Sequence, residues 1–159
     1  MLMLYHGSYL AVRKPDISYS RDNTDFGKGF YTTPIKEQAV KWSERFKRRN
    51  GQGVVSRYAF DDVAAKTKAS IWEFEYYSDE WLDFIIACRG GEVSGNYDVI
   101  IGGVANDKVF NTIQLFLDEL IDKGEALKRL KYEEPNLQYC FRNQRVIDEY
   151  LQFASSEAL

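Results

Sequence analysis

The sequence predicts a single α+β domain spanning residues 1–159, in which strands and helices mix without the regular alternation of a doubly wound sheet. Two apolar periods carry that reading. Residues 54–60 and 97–104 alternate or run β-branched as strands do, whereas Ile35, Ala39, Trp42 and Phe46 recur at helical spacing. The third observation is evenness: no repeat, linker or shift in composition divides the chain. Apolar residues at 45% and charged residues at 28% are globular values that exclude disorder and low complexity.

Residues 2–6 read as a short buried strand ending at His6, where Gly7 and Ser8 can turn the chain. Residues 11–28 form a long polar loop, and loops of that length in compact domains tend to be functional. The run DFGKGFYTT, 25–33, closes the loop and enters a short strand. Thr33 as N-cap and Pro34 at the first position then open a helix that stops at Asn50-Gly51. Residues 54–60 and 71–77 are expected strands joined by a polar connection. Ser78 caps a helix to about Cys88, with Asp79 and Glu80 in the turn where the helix dipole favours them. Residues 97–104 suit a central strand. A helix from about Asn111 carries Ile113, Phe116, Leu117, Leu120 and Ile121 on one side as far as Gly124, and a second piece covers 126–130. After Pro135, residues 137–142 read as the last short strand and 145–153 as a terminal amphipathic helix, with a tail that frays.

A net charge of −3 and a pI near 5.3 argue against a general nucleic-acid binder, which needs an electropositive footprint. The one tight basic run, Lys47-Arg48-Arg49, suits the last turn of a helix. Cys88 and Cys140 lack metal-ligand spacing and the chain has one histidine, so no metal is expected, and both thiols read as buried in a reducing compartment. The N-terminus lacks a basic signal-peptide start and no stretch approaches the roughly 20 apolar residues of a membrane span. The expectation is a cytoplasmic protein with no membrane partner. Walker, dinucleotide-fingerprint and GxSxG patterns are missing, and the DFG string lacks the other kinase motifs.

Three segments carry the functional reading together: YHGS (5–8) at the end of the first strand, FGKGFYTT (26–33), and NLQYCF (136–141) in the last strand. In order and spacing they resemble the ADP-ribosyltransferase superfamily, on the branch of diphtheria toxin and the poly-ADP-ribose polymerases. More closely, the whole chain resembles a family of small bacterial ADP-ribosyltransferase-like proteins, through YHGS, PDI, DFGKGFYTT, QAVKW, EWLDFI, YDVIIGGVAND and the Q-x-x-F strand. The resemblance implies split antiparallel β-sheets with flanking helices and NAD, as co-substrate, held in the cleft between them.

By the same resemblance, His6 would bond the adenosine ribose, Gly7 would offer backbone groups to the carboxamide, and Tyr31 and Trp42 would sandwich the nicotinamide. Ser8, Phe26, Gly27, Gly29, Phe30 and Thr32 belong to the implied NAD-binding segments, and Gln138 would face the nicotinamide ribose. The chemistry is consistent with these residue types. Breaking the nicotinamide–ribose bond builds positive charge at C1′, and a cationic ring stacks on tyrosine and tryptophan by roughly 0.5 to 2 kcal/mol. Each residue also has a plainer reading. His6 can be a satisfied strand-end histidine, Tyr31 and Trp42 can be core, and Gln138 can be an edge-strand amide. Asn106 and Asp107 most simply cap the next helix, and otherwise contact substrate.

Gln138 departs from the glutamate of the family pattern, and a neutral amide cannot act as a general base. Ala39 likewise stands where many polymerases carry a hydroxyl. With Gln138 neutral, mono-ADP-ribosyl transfer is expected over polymerisation, and the resemblance implies a toxin or defence effector acting on a protein or a nucleic acid and admitting a small neutralising partner protein. A cleft that binds NAD or ADP-ribose without turnover is the alternative reading, and a purely structural or interaction domain is the third.

Overall fold

The computed structural model describes residues 1–92, 95–133 and 136–159, so Pro135, expected just before the last short strand, lies outside the described residues. In chain order the elements are β1 (Leu2–Ser8), a single 3-10 turn (Ile17–Tyr19), β2 (Phe30–Thr32), α1 (Lys36–Asn50), β3 (Val54–Phe60), α2 (Asp62–Lys68) and β4 (Ile71–Glu73). They continue with α3 (Asp79–Arg89), β5 (Val99–Gly102), α4 (Asp107–Leu117), α5 (Lys123–Leu130), β6 (Gln138–Phe141), α6 (Gln144–Tyr150) and β7 (Leu151–Ala158). The class is α+β, with two sheets flanked by helices.

One sheet has the order β1-β3-β7 and is antiparallel throughout, with Leu2 opposite Phe60 and Ser8 opposite Val54. The other has the order β2-β6-β5-β4, and here β4 runs parallel to β5, so this sheet is mixed rather than antiparallel. The cause is connectivity. α3 crosses over between β4 and β5, and a helical crossover returns the chain in the same direction. Side-chain alternation then feeds two cores. Phe30, Val99, Ile101 and Phe141 of the second sheet pack with Leu4, Tyr58 and Phe60 of the first, whereas Ile100 and Cys140 face Trp81, Ile85 and Ile113 from the helices. Phe60 meets Phe141 edge-on at 5.1 Å and Phe30 meets Tyr58 at 5.6 Å, each such buried ring contributing about 1.5–3 kcal/mol.

Several boundaries differ from the sequence-based expectations. α1 starts at Lys36, because the Thr33 hydroxyl bonds the Ile35 amide at 3.0 Å in a turn that precedes the helix. The expected polar connection folds as α2, capped by Asp61 on the Ala64 amide. β4 stops at Glu73, and Tyr76 follows with a φ of 46°. α4 begins at Asp107 because Asn106 caps it through the Val109 amide, and it ends at Leu117, with Glu119 at a φ of 60° just beyond. Leu117 and Leu120 are thereby exposed instead of joining a continuous apolar stripe. The terminal helix, expected to reach 153, ends at Tyr150, and its last three residues together with the expected tail form β7, paired with β3 along its length. No helix of the described residues is long and apolar enough to cross a membrane.

The two sheets touch through an antiparallel bridge at which the Tyr5 amide donates to Thr33 at 2.8 Å and the Thr33 amide to Tyr5 at 2.9 Å. Beyond that bridge β1 and β2 are not paired, and a cleft opens with His6 on one sheet and Tyr31 and Gln138 on the other.

Candidate functional site

The cleft encloses about 580 Å³ and is lined by His6 and Gly7 of β1, Tyr31 of β2, Trp42 of α1 and Gln138 of β6, together with Asn106 and Asp107. Segments far apart in sequence thus bring seven of the expected site residues together.

Gly7 lies against α1 so closely that a Cβ there would collide with the Ala39 carbonyl and sit 2.8 Å from the Ser43 amide. Ala39 and Ser43 are themselves fully buried. This contact presses the end of β1 onto the helix and turns Trp42, Arg45, Phe46 and Arg49, at helical spacing, toward the cleft.

The Nδ1 of His6 lies 2.7 Å from the Tyr31 carbonyl. A carbonyl only accepts, so Nδ1 carries the proton and Nε2 is left as an acceptor. Burial lowers the His6 pKa below its usual 6.5, against the opposing effect of the bond to Tyr31, and the ring rests 4.5 Å from Phe30. Tyr31 is half-buried, and its hydroxyl accepts from the Phe26 amide at 2.9 Å and meets the Gly27 carbonyl at 2.6 Å and the Thr24 hydroxyl at 3.0 Å. Burial foremost raises the phenol pKa well above 10 and keeps it protonated. The loop 24–27 is therefore closed over Tyr31, with Gly27 at a φ of 79° supplying the left-handed turn.

That closure fixes Asp25, which the sequence reading missed. Its side chain is 9% exposed, and Oδ1 accepts both Nε (3.0 Å) and Nη2 (2.6 Å) of Arg89. Its Oδ2 accepts the Ala105 amide at 2.8 Å and the side-chain amide of Gln138 at 2.9 Å. The second amide hydrogen of Gln138 goes to the Gly103 carbonyl at 3.2 Å. Because both partners can only accept, the orientation of the Gln138 amide is settled chemically, with nitrogen toward Asp25. Arg89 also lies over the Phe110 ring at 4.5 Å.

Among the described residues four arginines (21, 45, 49 and 89) and two aspartates (25 and 107) line the cleft, a net of +2 within a chain of −3. Arg21, Arg45 and Arg49 are exposed. Arg45 and Arg49 could have been found from their helical spacing to Trp42 and Phe46, whereas the pairing of Asp25 with Arg89, 64 residues away, leaves no local signal. Asn106 caps α4, and Asp107 stands 3.9 Å from Arg45.

The other expected residues do not line the cleft. Phe26 is fully buried against Phe74, Phe30 packs in the core between the sheets, and Thr32 is buried with its hydroxyl toward the Tyr139 carbonyl. Ser8 ends β1 opposite Val54, and Gly29 allows close approach to Cys140 and Phe141. They shape the walls from behind. Among the described residues no three His, Cys, Asp or Glu side chains gather as a metal-binding group.

A family model described as a protein of unknown function (DUF3990) matches residues 2–153, and the chain belongs to that family. No curated protein and no solved structure matches it.

Proposed function

We propose that this family member binds NAD in the cleft between its sheets and transfers ADP-ribose from it to a macromolecular acceptor, a protein or a nucleic acid. The observation that carries the reading is the convergence of His6, Gly7, Tyr31, Trp42 and Gln138 on one cleft. The cleft's net positive lining suits a pyrophosphate, through Arg21, Arg45 and Arg49. The Nε2 of His6 accepts a ribose hydroxyl. Tyr31 and Trp42 offer ring faces to the nicotinamide, and Gln138 offers its amide oxygen to the nicotinamide ribose. In the reaction the bond between C1′ and the nicotinamide nitrogen breaks and its electron pair leaves with the ring. An acceptor nucleophile bonds to C1′ and releases its proton to solvent. The protein's part is to hold both ends of NAD and to favour the positive charge that develops at C1′.

A second reading, binding of NAD or ADP-ribose without turnover, is favoured by the neutral Gln138, whose amide cannot take up a proton from an acceptor. Purified protein and a His6→Ala/Gln138→Ala variant, incubated with isotope-labelled NAD and cell lysate, separate the two. Nicotinamide release with label in one macromolecular fraction, for the unaltered protein only, is the expected result. No release from either protein, with NAD still raising the melting temperature, would leave binding alone.

A further inference from the structure

A cleft that breaks the bond between C1′ and a cationic ring, which leaves neutral as positive charge develops at C1′, gains from negative charge nearby, and its last-strand residue, Gln138, has none. Among the described residues two carboxylates line the cleft. Asp107 is 94% exposed beside Arg45, where water screens it. Asp25 is 9% exposed, lines the cleft, and its Oδ2 receives the Gln138 amide at 2.9 Å. Its countercharge, Arg89, bonds Oδ1, the oxygen opposite the one that meets Gln138, is 32% exposed, and shares its Nη2 with the Ala105 carbonyl at 3.2 Å. The remaining donor on Oδ2 is the Ala105 amide, which carries no net charge.

We propose that Asp25 is the positioning residue of this cleft: acting through Gln138, it orients and polarises the amide so that the amide oxygen faces the ligand with the field of a buried carboxylate behind it. The proposal rests on the NAD reading above. It gives the neutral Gln138 a role beyond that of an inert substitute. The amide presents the contact surface and Asp25 supplies the charge, one hydrogen bond removed from the ligand. A chain of two polarised groups strengthens the terminal acceptor. The Gly103 carbonyl holds the second amide hydrogen, which keeps Gln138 from turning its nitrogen toward the ligand.

The test compares binding of a non-hydrolysable carbocyclic NAD⁺, whose ring is cationic, with NADH, whose ring is neutral, by calorimetry. The unaltered protein is expected to prefer the cationic form by about tenfold. Asp25→Asn should cut that preference at least about fivefold while NADH affinity stays within about threefold, and kcat for nicotinamide release should fall more than KM changes. Since Asp25→Asn leaves Arg89 unpaired, the Asp25→Asn/Arg89→Gln variant removes both charges together and must show the same loss of preference. Equal losses for both ligands in the two variants would make Asp25 a structural residue only and overturn the proposal with the NAD reading intact. Binding of neither ligand by the unaltered protein would overturn the NAD reading itself, and the proposal with it.

Discussion

The Nδ1 proton of His6 is donated to the carbonyl of Tyr31 at 2.7 Å, so a side chain ties β1 to β2 just past the last backbone bridge between the sheets, at Tyr5 and Thr33. The cleft begins where backbone pairing stops and this single bond continues it.

Protonation of His6 is therefore expected to be disfavoured in the folded protein. Burial lowers its pKa below 6.5, so between the lowered value and 6.5 the unfolded chain binds more protons than the folded one. Stability rises with pH through that window and is lost as pH falls toward the folded-state pKa. Melting temperatures between pH 7 and 5 should fall for the unaltered protein and fall less for His6→Asn. As the chain has one histidine, its imidazole resonances report the titration without ambiguity. Parallel melting curves for the two proteins would refute the assignment.

Tyr31→Phe removes the hydroxyl that receives the Phe26 amide at 2.9 Å. A buried N–H left without a partner costs about 1–3 kcal/mol. The expected result is a loss of that size in urea unfolding, with faster hydrogen exchange at Phe26, because the 24–27 loop is no longer closed over the ring. Unchanged exchange at that amide would mean the hydroxyl does not hold the loop.

Gly7→Ala and Gly27→Ala should differ in kind. A methyl at Gly7 meets the backbone of α1, which cannot rotate away, so an overpacking cost of at least about 1–3 kcal/mol is expected, with a displaced Trp42. At Gly27 nothing lies within 4 Å of an added Cβ, and the expense is the left-handed backbone alone, about 1–2 kcal/mol. Trp42 fluorescence should respond to the first substitution more than to the second. The reverse order would show that β1 does not rest on the helix as described.

The parts of this fold that the sequence discloses are those written in local patterns. α1, α3, β3 and β5 follow from apolar periodicity and from caps such as Ser78, whose hydroxyl accepts the Trp81 amide. Trp42 was readable because it shares a helical face with Phe46. α2 is short and buries only Ala65, too little apolar surface to mark a period. That His6, Gly7, Tyr31, Trp42 and Gln138 come together in one cleft is anticipated through the resemblance carried by their short sequence motifs. The site is illegible at Asp25, whose importance arises from Arg89, Ala105 and Gln138, all brought to it by tertiary folding.

β7 is the clearest case of structure held by backbone rather than by pattern. Of residues 151–158 only Leu151 is buried and Phe153 half-buried, which is why 151–153 read as the end of a helix and the residues after 153 as a tail. It nevertheless covers β3 from Phe60, opposite Leu151, to Val54, opposite Ala158, with a bulge between the Ser155 and Phe153 pairings. Phe153 also meets Tyr58 edge-on at 5.9 Å and lies under Arg13 at 5.5 Å. Deleting residues 152–159 removes these contacts and leaves β3 with an unpaired edge, a template for pairing with other chains. Each ladder hydrogen bond contributes about 0.5–1.5 kcal/mol, so the deletion should lower the melting temperature sharply and cause concentration-dependent association. Ser155→Lys, on an exposed side chain in the same strand, should change stability by no more than about 0.5 kcal/mol, because the backbone bonds remain. Size-exclusion chromatography and thermal melting of the two variants decide the matter: a monomeric, undiminished truncation would show that the strand contributes nothing to the first sheet.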